Sequence, residues 1–207
     1  NPGTALGKKW MDKFFLVEFV GDPSRSHIWS FDLKPKGASF ELKSEESILS
    51  GVLPTGIDFG PDGALYLADW VNGWGTKNYG RVWKLDVTDQ TNDLEQERLE
   101  TQRLMTHNYE DDKTDNLIKL LSYDDMRIRQ KAQFELAKRT FWGYRALEKA
   151  LTEEENQFAR IHAIWGIGQI AAKDVDDAEP LLNLLSDEDA EIIAQSAKVL
   201  GDVRYGN

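Results

Sequence analysis

The sequence predicts a mixed fold of two domains, in which short antiparallel strands are followed by helical repeats. Of the 16 glycines, 11 precede residue 89, and so do five of the seven tryptophans. Residues 1–88 carry 10 Lys and Arg against 11 Asp and Glu, whereas residues 89–207 carry 15 against 25. Glycine serves tight turns, and charged sequence poor in glycine favours helices. We therefore expect a strand domain over 1–88, a linker with a helix over 89–112, and a helical domain over 113–207.

Composition already excludes several classes of function. An apolar fraction of 41% is enough to build a core, and the formal net charge of −11 disfavours binding to nucleic acid phosphates. The chain has no cysteine, which excludes disulfides, thiolate metal sites and covalent haem attachment. Uncharged apolar stretches run only a few residues, far short of the roughly 20 that a membrane span needs. We expect no membrane span and no nucleic acid partner.

Alternating apolar residues predict strands in the first half. His27, Trp29, Phe31 and Leu33 alternate with Ile28, Ser30 and Asp32, a period of two that is typical of a strand with one buried face. Turn sequences such as Gly60-Pro61-Asp62-Gly63 separate the alternating runs. Six such strands, spaced by about ten residues, indicate an antiparallel meander of the kind found in barrels, sandwiches and propellers.

The second half repeats itself at an offset of 31 to 34 residues. Ile128-Arg129-x-x-Ala132-x-x-x-Leu136 recurs as Ala159-Arg160-x-x-Ala163-x-x-x-Ile167, and a looser copy spans 193–200. This period predicts three two-helix units over about 113–205 and resembles HEAT repeats. Arg129 and Arg160 hold equivalent positions and are expected to pair with acidic turns. His107 and His162 stand alone, without the spacing of metal ligands.

A family resemblance rests on "PTGIDFGPDGALYLADW" and "GRVWKLD", within 54–70 and 80–86. These segments resemble a blade of the six-bladed propellers of soluble quinoprotein glucose/sorbosone dehydrogenases, and 14–42 resembles the blade before it. With the helical repeats, the chain resembles large bacterial envelope proteins, putative membrane-bound dehydrogenases, that join such a propeller to HEAT-like helices and often to a c-type cytochrome. The resemblance implies a partial antiparallel β-propeller of about two blades followed by an α-helical HEAT-like solenoid.

The same resemblance implies a fragment of a sugar or alcohol dehydrogenase that depends on pyrroloquinoline quinone (PQQ) and calcium. A blade takes about 40–50 residues, so residues 1–88 supply about two blades of six. The family's catalytic base then lies outside this chain, and we expect neither activity nor bound PQQ or calcium from these residues alone. A periplasmic or envelope location is implied, with a c-type cytochrome or another protein as partner of the helical repeats.

Two residues are candidates for binding the cofactor. Arg25 falls in a turn where the family carries a basic residue, and arginine pairs bidentately with carboxylates such as those of PQQ. His27 begins the next strand and is the second candidate. The alternatives are a solvated turn arginine and a strand-start histidine without a task.

Three residues are candidates for binding the substrate. Asp69 and Trp70 end a strand, and Trp74 follows in a glycine-rich loop. Loops at strand ends carry sites on rigid scaffolds, and an indole face can stack on a sugar while a carboxylate binds its hydroxyls. The alternative for Asp69 is a structural role in which it hydrogen-bonds the turn.

A second interpretation of function needs no catalysis. Propeller blades and HEAT repeats are both interaction scaffolds, and a fold does not fix a function. The chain would then be a non-catalytic protein- or glycan-binding scaffold whose acidic helical half docks a basic or polar partner. The sequence offers no Ser/His/Asp set, phosphate-binding loop or dinucleotide fingerprint, and no metal ligands or catalytic residues are assigned.

Overall fold

The computed structural model describes residues 1–37, 39–153 and 155–206, and the chain divides into two units, Asn1–Met105 and Thr106–Asn207. The first unit holds two antiparallel three-stranded sheets. In chain order, the strands are β1 (Phe14–Glu18), β2 (His27–Lys36) and β3 (Ser39–Ser50) in one sheet, and β4 (Pro54–Phe59), β5 (Leu65–Asp69) and β6 (Arg81–Leu85) in the other. The prediction of six antiparallel strands is confirmed.

The predicted fold class, a partial propeller joined to a HEAT-like solenoid, is wrong. Among the described residues no propeller blade is formed and neither sheet closes, because each sheet stops at three strands where a blade has four. The strand β3 also differs from the sequence pattern, because it continues for 12 residues through a charged stretch, Lys43–Glu46, that lacks alternation. An edge strand needs no buried face to keep its ladder, so strand spacing in the sequence did not reveal this length.

The first unit has a small core beneath its sheets. Ile28, Leu53, Leu65 and Leu67 are fully buried or nearly so. Helix α1 (Glu95–Thr106) is tied to the second sheet by Arg98, whose guanidinium donates to the Asp62 carbonyl oxygen at 2.8 Å and to the Asp86 carboxylate at 2.6 Å. A short 3₁₀ turn, Lys8–Trp10, precedes β1, and another, Asp89–Thr91, precedes α1.

The second unit is built from helices that follow one another closely. They are α2 (Thr114–Leu120), α3 (Met126–Lys138), α4 (Thr140–Glu153), α5 (Gln157–Ala171), a 3₁₀ segment (Val175–Ser186) and α6 (Ala190–Asp202). Three of the helices begin at a capping side chain: Asp125, Asn156 and Asp189 each accept a backbone N–H of the first turn. The 3₁₀ segment contains Pro180, which has no N–H for an α-helical ladder.

Helix α5 lies at the centre of the second unit and packs against α3, α4, α6 and the 3₁₀ segment. It is therefore buried on most sides, with Ile164 and Ile167 fully enclosed. Helices α3 and α4 approach very closely at Gly143, where an added Cβ would lie 1.8 Å from the Leu136 carbonyl oxygen. Within the described residues, no helix is both long and apolar enough to cross a membrane.

Candidate functional site

Arg25 lies in the turn between β1 and β2. Its backbone N–H donates to the Asp22 carbonyl oxygen at 3.1 Å, and its guanidinium approaches the Asp22 carboxylate at 3.5 Å. The pKa of Asp22 is lowered, first by the hydrogen bonds from Ser24 and then by Arg25. Because 70% of its side chain is exposed, Arg25 has the surroundings of a solvated turn arginine.

His27 is held by a residue that the sequence did not single out. Its Nδ1 lies 3.1 Å from Oε2 of Glu18, and the same oxygen accepts the indole N–H of Trp29 at 2.8 Å. These two contacts, that of Trp29 first, lower the pKa of Glu18. Glu18 and His27 are cross-strand partners at the ends of β1 and β2. The contact between Glu18 and His27 could not be predicted without the strand pairing, because the two residues are nine apart in the sequence.

Arg25 and His27 do not form a cradle for the carboxylates of a quinone cofactor. The guanidinium faces Asp22 and the imidazole faces Glu18, so an acidic group lies beside each side chain that was expected to bind an anion. We derive no chemistry through PQQ on these residues. In the described ranges, no group of three or more His, Cys, Asp or Glu side chains is arranged to hold a metal ion.

Asp69 is buried and fully engaged. Its Oδ1 accepts the backbone N–H groups of Leu53 at 3.0 Å and Val71 at 2.8 Å, and its Oδ2 accepts the indole N–H of Trp83 at 2.9 Å. Burial raises the pKa of Asp69, but the hydrogen bonds outweigh it and the pKa is lowered overall. These bonds join the end of β5 to β6 and to the residue that precedes β4, which is the geometry expected for a structural carboxylate.

Trp70 and Trp74 lie in different surroundings. The indole N–H of Trp70 is buried and, among the described atoms, finds no hydrogen-bond acceptor. Trp74 is 73% exposed and packs its ring edge-on against Phe19, 5.0 Å between centroids, and over Gly21. Trp74 thus reaches the turn that carries Arg25, while Asp69 is bound to Leu53, Val71 and Trp83. The three residues predicted to bind substrate therefore do not contact a common set of residues.

A groove that the sequence did not predict lies in the second unit. It has a volume of about 470 Å³ and lies where α3 ends, α4 begins and α5 gives way to the 3₁₀ segment. Most of its surface is apolar, although five of its nine lining residues are polar or charged: Ala137, Phe141, Tyr144 and Ile170, with Thr140, Arg145, Gln169, Lys173 and Asp177. We call this feature the α4–α5 groove.

The α4–α5 groove owes its shape to the abrupt reversal between α3 and α4. Thr140 has a left-handed backbone, φ 51°, so α4 starts two residues after α3 ends. Arg139 fixes the reversal by donating to the carbonyl oxygens of Tyr109 at 2.7 Å and Asp112 at 2.6 Å. The first turn of α4 then carries Phe141 and Trp142, which are 63% and 72% exposed. Adjacent helical residues point about 100° apart, and in this first turn neither of the two rings is covered.

The acidic residues around the α4–α5 groove affect its tyrosine. The pKa of Tyr144 is raised, first by burial and then by the negative charges of Glu148, Asp177 and Glu179. Arg145 opposes this effect but is paired with Glu148 at 2.5 Å. The groove is therefore apolar within and negative along the side formed by the 3₁₀ segment.

The two repeat arginines have different partners. Arg160 forms a bidentate pair with the Asp187 carboxylate and donates to the Leu151 carbonyl oxygen at 2.8 Å. Arg129 instead donates to the carbonyl oxygens of Tyr123 and Asp124, at 2.6 and 2.9 Å, so it binds its acidic turn through backbone oxygens.

His162 is a buried member of a polar chain. Its Nε2 lies 3.2 Å from Nε of Arg129, and its Nδ1 lies 2.7 Å from Oε1 of Gln133. Gln133 in turn donates to Gln169 at 3.2 Å. Burial, followed by the nearby charge of Arg129, lowers the pKa of His162 to about 4. This histidine is a neutral structural group at ordinary pH.

The chain was compared with protein-family models and with curated proteins. No protein-family model matches the chain, and a search of curated proteins finds no match.

Proposed function

We propose that the second unit is a protein-binding module that holds a segment of a partner protein in the α4–α5 groove. The observation that carries this proposal is the groove itself, an open cavity of about 470 Å³ with apolar and aromatic walls. Its volume falls in the range of about 300–1,000 Å³ that is typical of ligand sites. The proposal takes up the non-catalytic interpretation of the sequence.

The exposed aromatic pair beside the groove supports this function. Phe141 and Trp142 pack edge-on against each other, 5.3 Å between centroids, while most of each ring faces outward. Aromatic residues are enriched at protein interfaces, where they contribute large contact areas. The walls come from packed helices, since Tyr144 and Ile170 both lie against the buried core of this unit. Such a site is held in shape before a partner arrives.

Oxidation of a sugar or alcohol with PQQ stays a prediction from family resemblance. It requires a propeller, and the described strands of the first unit form two three-stranded sheets instead. Partner binding by the helical unit is independent of that question. A c-type cytochrome is one class of partner that the resemblance implies.

A selection experiment tests the proposed function. A phage-displayed library of random peptides would be selected on the full chain and counter-selected on Ala137→Trp, in which a large side chain fills the groove from α3. Phe134→Ala is the matched control, because Phe134 is exposed on the same helix but does not line the groove. We expect peptides that bind the wild-type chain and Phe134→Ala but lose at least tenfold in affinity for Ala137→Trp.

Amide chemical shifts locate the bound peptide. Titration of a selected peptide should shift the signals of Phe141, Tyr144 and Ile170 and leave those of β2 and β5 unchanged. A selection in which every enriched peptide binds Ala137→Trp as well as the wild type would contradict the proposal.

A further inference from the structure

We infer that the segment bound in the α4–α5 groove is basic, with a large apolar side chain in the groove and Lys or Arg beside it. This inference rests on the proposed function and names the chemistry of the partner. The positive side chains would meet the carboxylates of the 3₁₀ segment, Asp176, Asp177 and Glu179.

The three carboxylates have no cationic partner in the part of the chain that the structure describes. Across the described residues, no ion pair within 4.0 Å involves Asp176, Asp177 or Glu179. Other acidic residues of the same unit do have cationic partners: Glu148 pairs with Arg145, and Asp187 pairs with Arg160. The negative charge beside the groove is therefore available to a ligand.

The three carboxylates lie close together near the start of the 3₁₀ segment. Asp177 lines the groove, and Asp176 and Glu179 are exposed on the same 3₁₀ segment. In a 3₁₀ helix, residues three apart lie above one another, so Asp176 and Glu179 share one side of the segment. The capping bond from the Asp176 N–H to the Asp174 carboxylate, at 3.2 Å, fixes the start of this segment. Asp177 thus faces the groove, and the side of the segment next to it carries Asp176 and Glu179.

Negative groups outnumber positive groups at the groove. Two cations line it, Arg145 and Lys173, and four carboxylates lie at or beside it: Glu148, which pairs with Arg145, and Asp176, Asp177 and Glu179, so the local net charge is −2. The raised pKa of Tyr144, caused first by burial and then by negative neighbours that include Asp177 and Glu179, agrees with a negative local potential. The whole unit has 13 Lys and Arg against 20 Asp and Glu, a net charge of −7. Both the local and the overall field favour a cationic partner.

Two synthetic peptides of equal length test this inference. Each carries a central Leu-Phe core, flanked by lysines in one peptide and by glutamates in the other. Their affinities for the full chain would be measured by calorimetry at about 0.02 and 0.2 M salt, since exposed ion pairs weaken as salt screens them. We expect the lysine peptide to bind at least tenfold more tightly than the glutamate peptide, with a preference that shrinks at the higher salt.

Charge variants separate a local effect from a general one. The triple variant Asp176→Asn, Asp177→Asn, Glu179→Gln should weaken the lysine peptide about fivefold or more, as expected for several exposed pairs. The control variant Asp111→Asn, Asp115→Asn, Glu188→Gln removes the same charge from exposed positions that do not line the groove. It should change the affinity less than twofold.

The possible failures are distinguishable. Equal binding of the two peptides, abolished by Ala137→Trp, overturns the basic partner and leaves the proposed function intact. Equal weakening by the two triple variants overturns the inference too, because the effect is then one of net charge. Absence of binding by either peptide, or library peptides free of Lys and Arg, overturns it as well. The proposed function itself is contradicted only if no library peptide depends on the groove for binding.

Discussion

Arg129 donates its Nε–H to Nε2 of His162, 3.2 Å away, so the imidazole accepts a hydrogen bond from a cation. That contact requires a lone pair on Nε2 and therefore places the imidazole proton on Nδ1, which faces the Gln133 carbonyl oxygen at 2.7 Å. Protonation of Nε2 would direct an N–H at the guanidinium. The stability of the second unit should therefore depend on pH.

We predict that the second unit loses stability as pH falls from 6.5 to 4. The pKa of His162 is lowered from 6.5 to about 4 in the folded chain, so the unfolded chain binds this proton first and acid favours unfolding. The stabilisation is fully present above pH 6.5 and amounts to about 3 kcal/mol. Urea unfolding followed by helical circular dichroism, at half-unit pH steps, measures the slope.

The variant His162→Gln is the control for this slope. Glutamine offers a carbonyl oxygen and an amide but does not titrate. The unfolding free energy of the variant should therefore vary less between pH 6.5 and 4 than that of the wild-type chain. A wild-type slope that persists unchanged in His162→Gln would show that other groups cause it. Nitrogen chemical shifts of the His162 ring provide the direct readout.

Gly143→Ala should strongly destabilise the second unit. The new Cβ would lie 1.8 Å from the Leu136 carbonyl oxygen, and because that atom is backbone, α3 and α4 must separate. We expect a loss of about 3 kcal/mol, at the upper end of the usual cost of overpacking. Gly201→Ala in α6 is the matched control, since its Cβ would meet nothing within 4 Å. It should gain about 0.5–1 kcal/mol from helix propensity, and thermal unfolding compares the two.

Asp69→Asn should cost the first unit about 2 kcal/mol, because one buried acceptor becomes a donor. An asparagine can keep Oδ1 for the Leu53 and Val71 N–H groups, but its amide then faces the indole N–H of Trp83. Trp83→Phe removes that indole N–H. In a double-mutant cycle followed by guanidinium unfolding, the double variant should be less destabilised than the sum of the single variants. Additive losses would contradict the donor conflict.

Arg160→Met should cost far more than Lys138→Met. Arg160 and Asp187 have side chains only 17% and 16% exposed, and the arginine also donates to the Leu151 carbonyl oxygen. Breaking such a partly buried bidentate pair should cost about 1–3 kcal/mol. Lys138 pairs with Glu110 at 2.6 Å, but both side chains are about 60% exposed and screened by solvent, so we expect a much smaller loss of stability. Similar losses in the two variants would refute this ranking.

Alternation in the sequence located β2 but not its buried face. His27, Trp29, Phe31 and Leu33 are only half-buried, whereas Ile28 and Ser30 on the other face are buried. The pattern could not give the number of strands per sheet, because β3 is an edge strand with charged residues on exposed faces. Pairing at an edge depends on backbone hydrogen bonds, which side chains scarcely report. The error in fold class follows from that gap.

The groove was also beyond the sequence, although one sign of it was present. Phe141 and Trp142 are two large aromatic residues in adjacent positions of a helix, where the period directs them about 100° apart. What the pattern could not supply was the left-handed backbone of Thr140, since β-branched residues rarely adopt it. Likewise, His162 stands alone in the sequence and gains its neighbours Arg129 and Gln133 only when α3 packs on α5.

The lengths of β1 and β2 imply a gradient of amide hydrogen exchange along the first sheet. β1 pairs only with His27–Phe31, so from Asp32 onward β2 is bonded to β3 alone. A two-stranded ladder is marginally stable in water, and the side chains near its tip, Phe40 and Leu42, are more than half exposed. Deuterium should therefore enter the Asp32–Lys36 half of β2 well before the His27–Phe31 half, by local opening that leaves the rest of the unit folded.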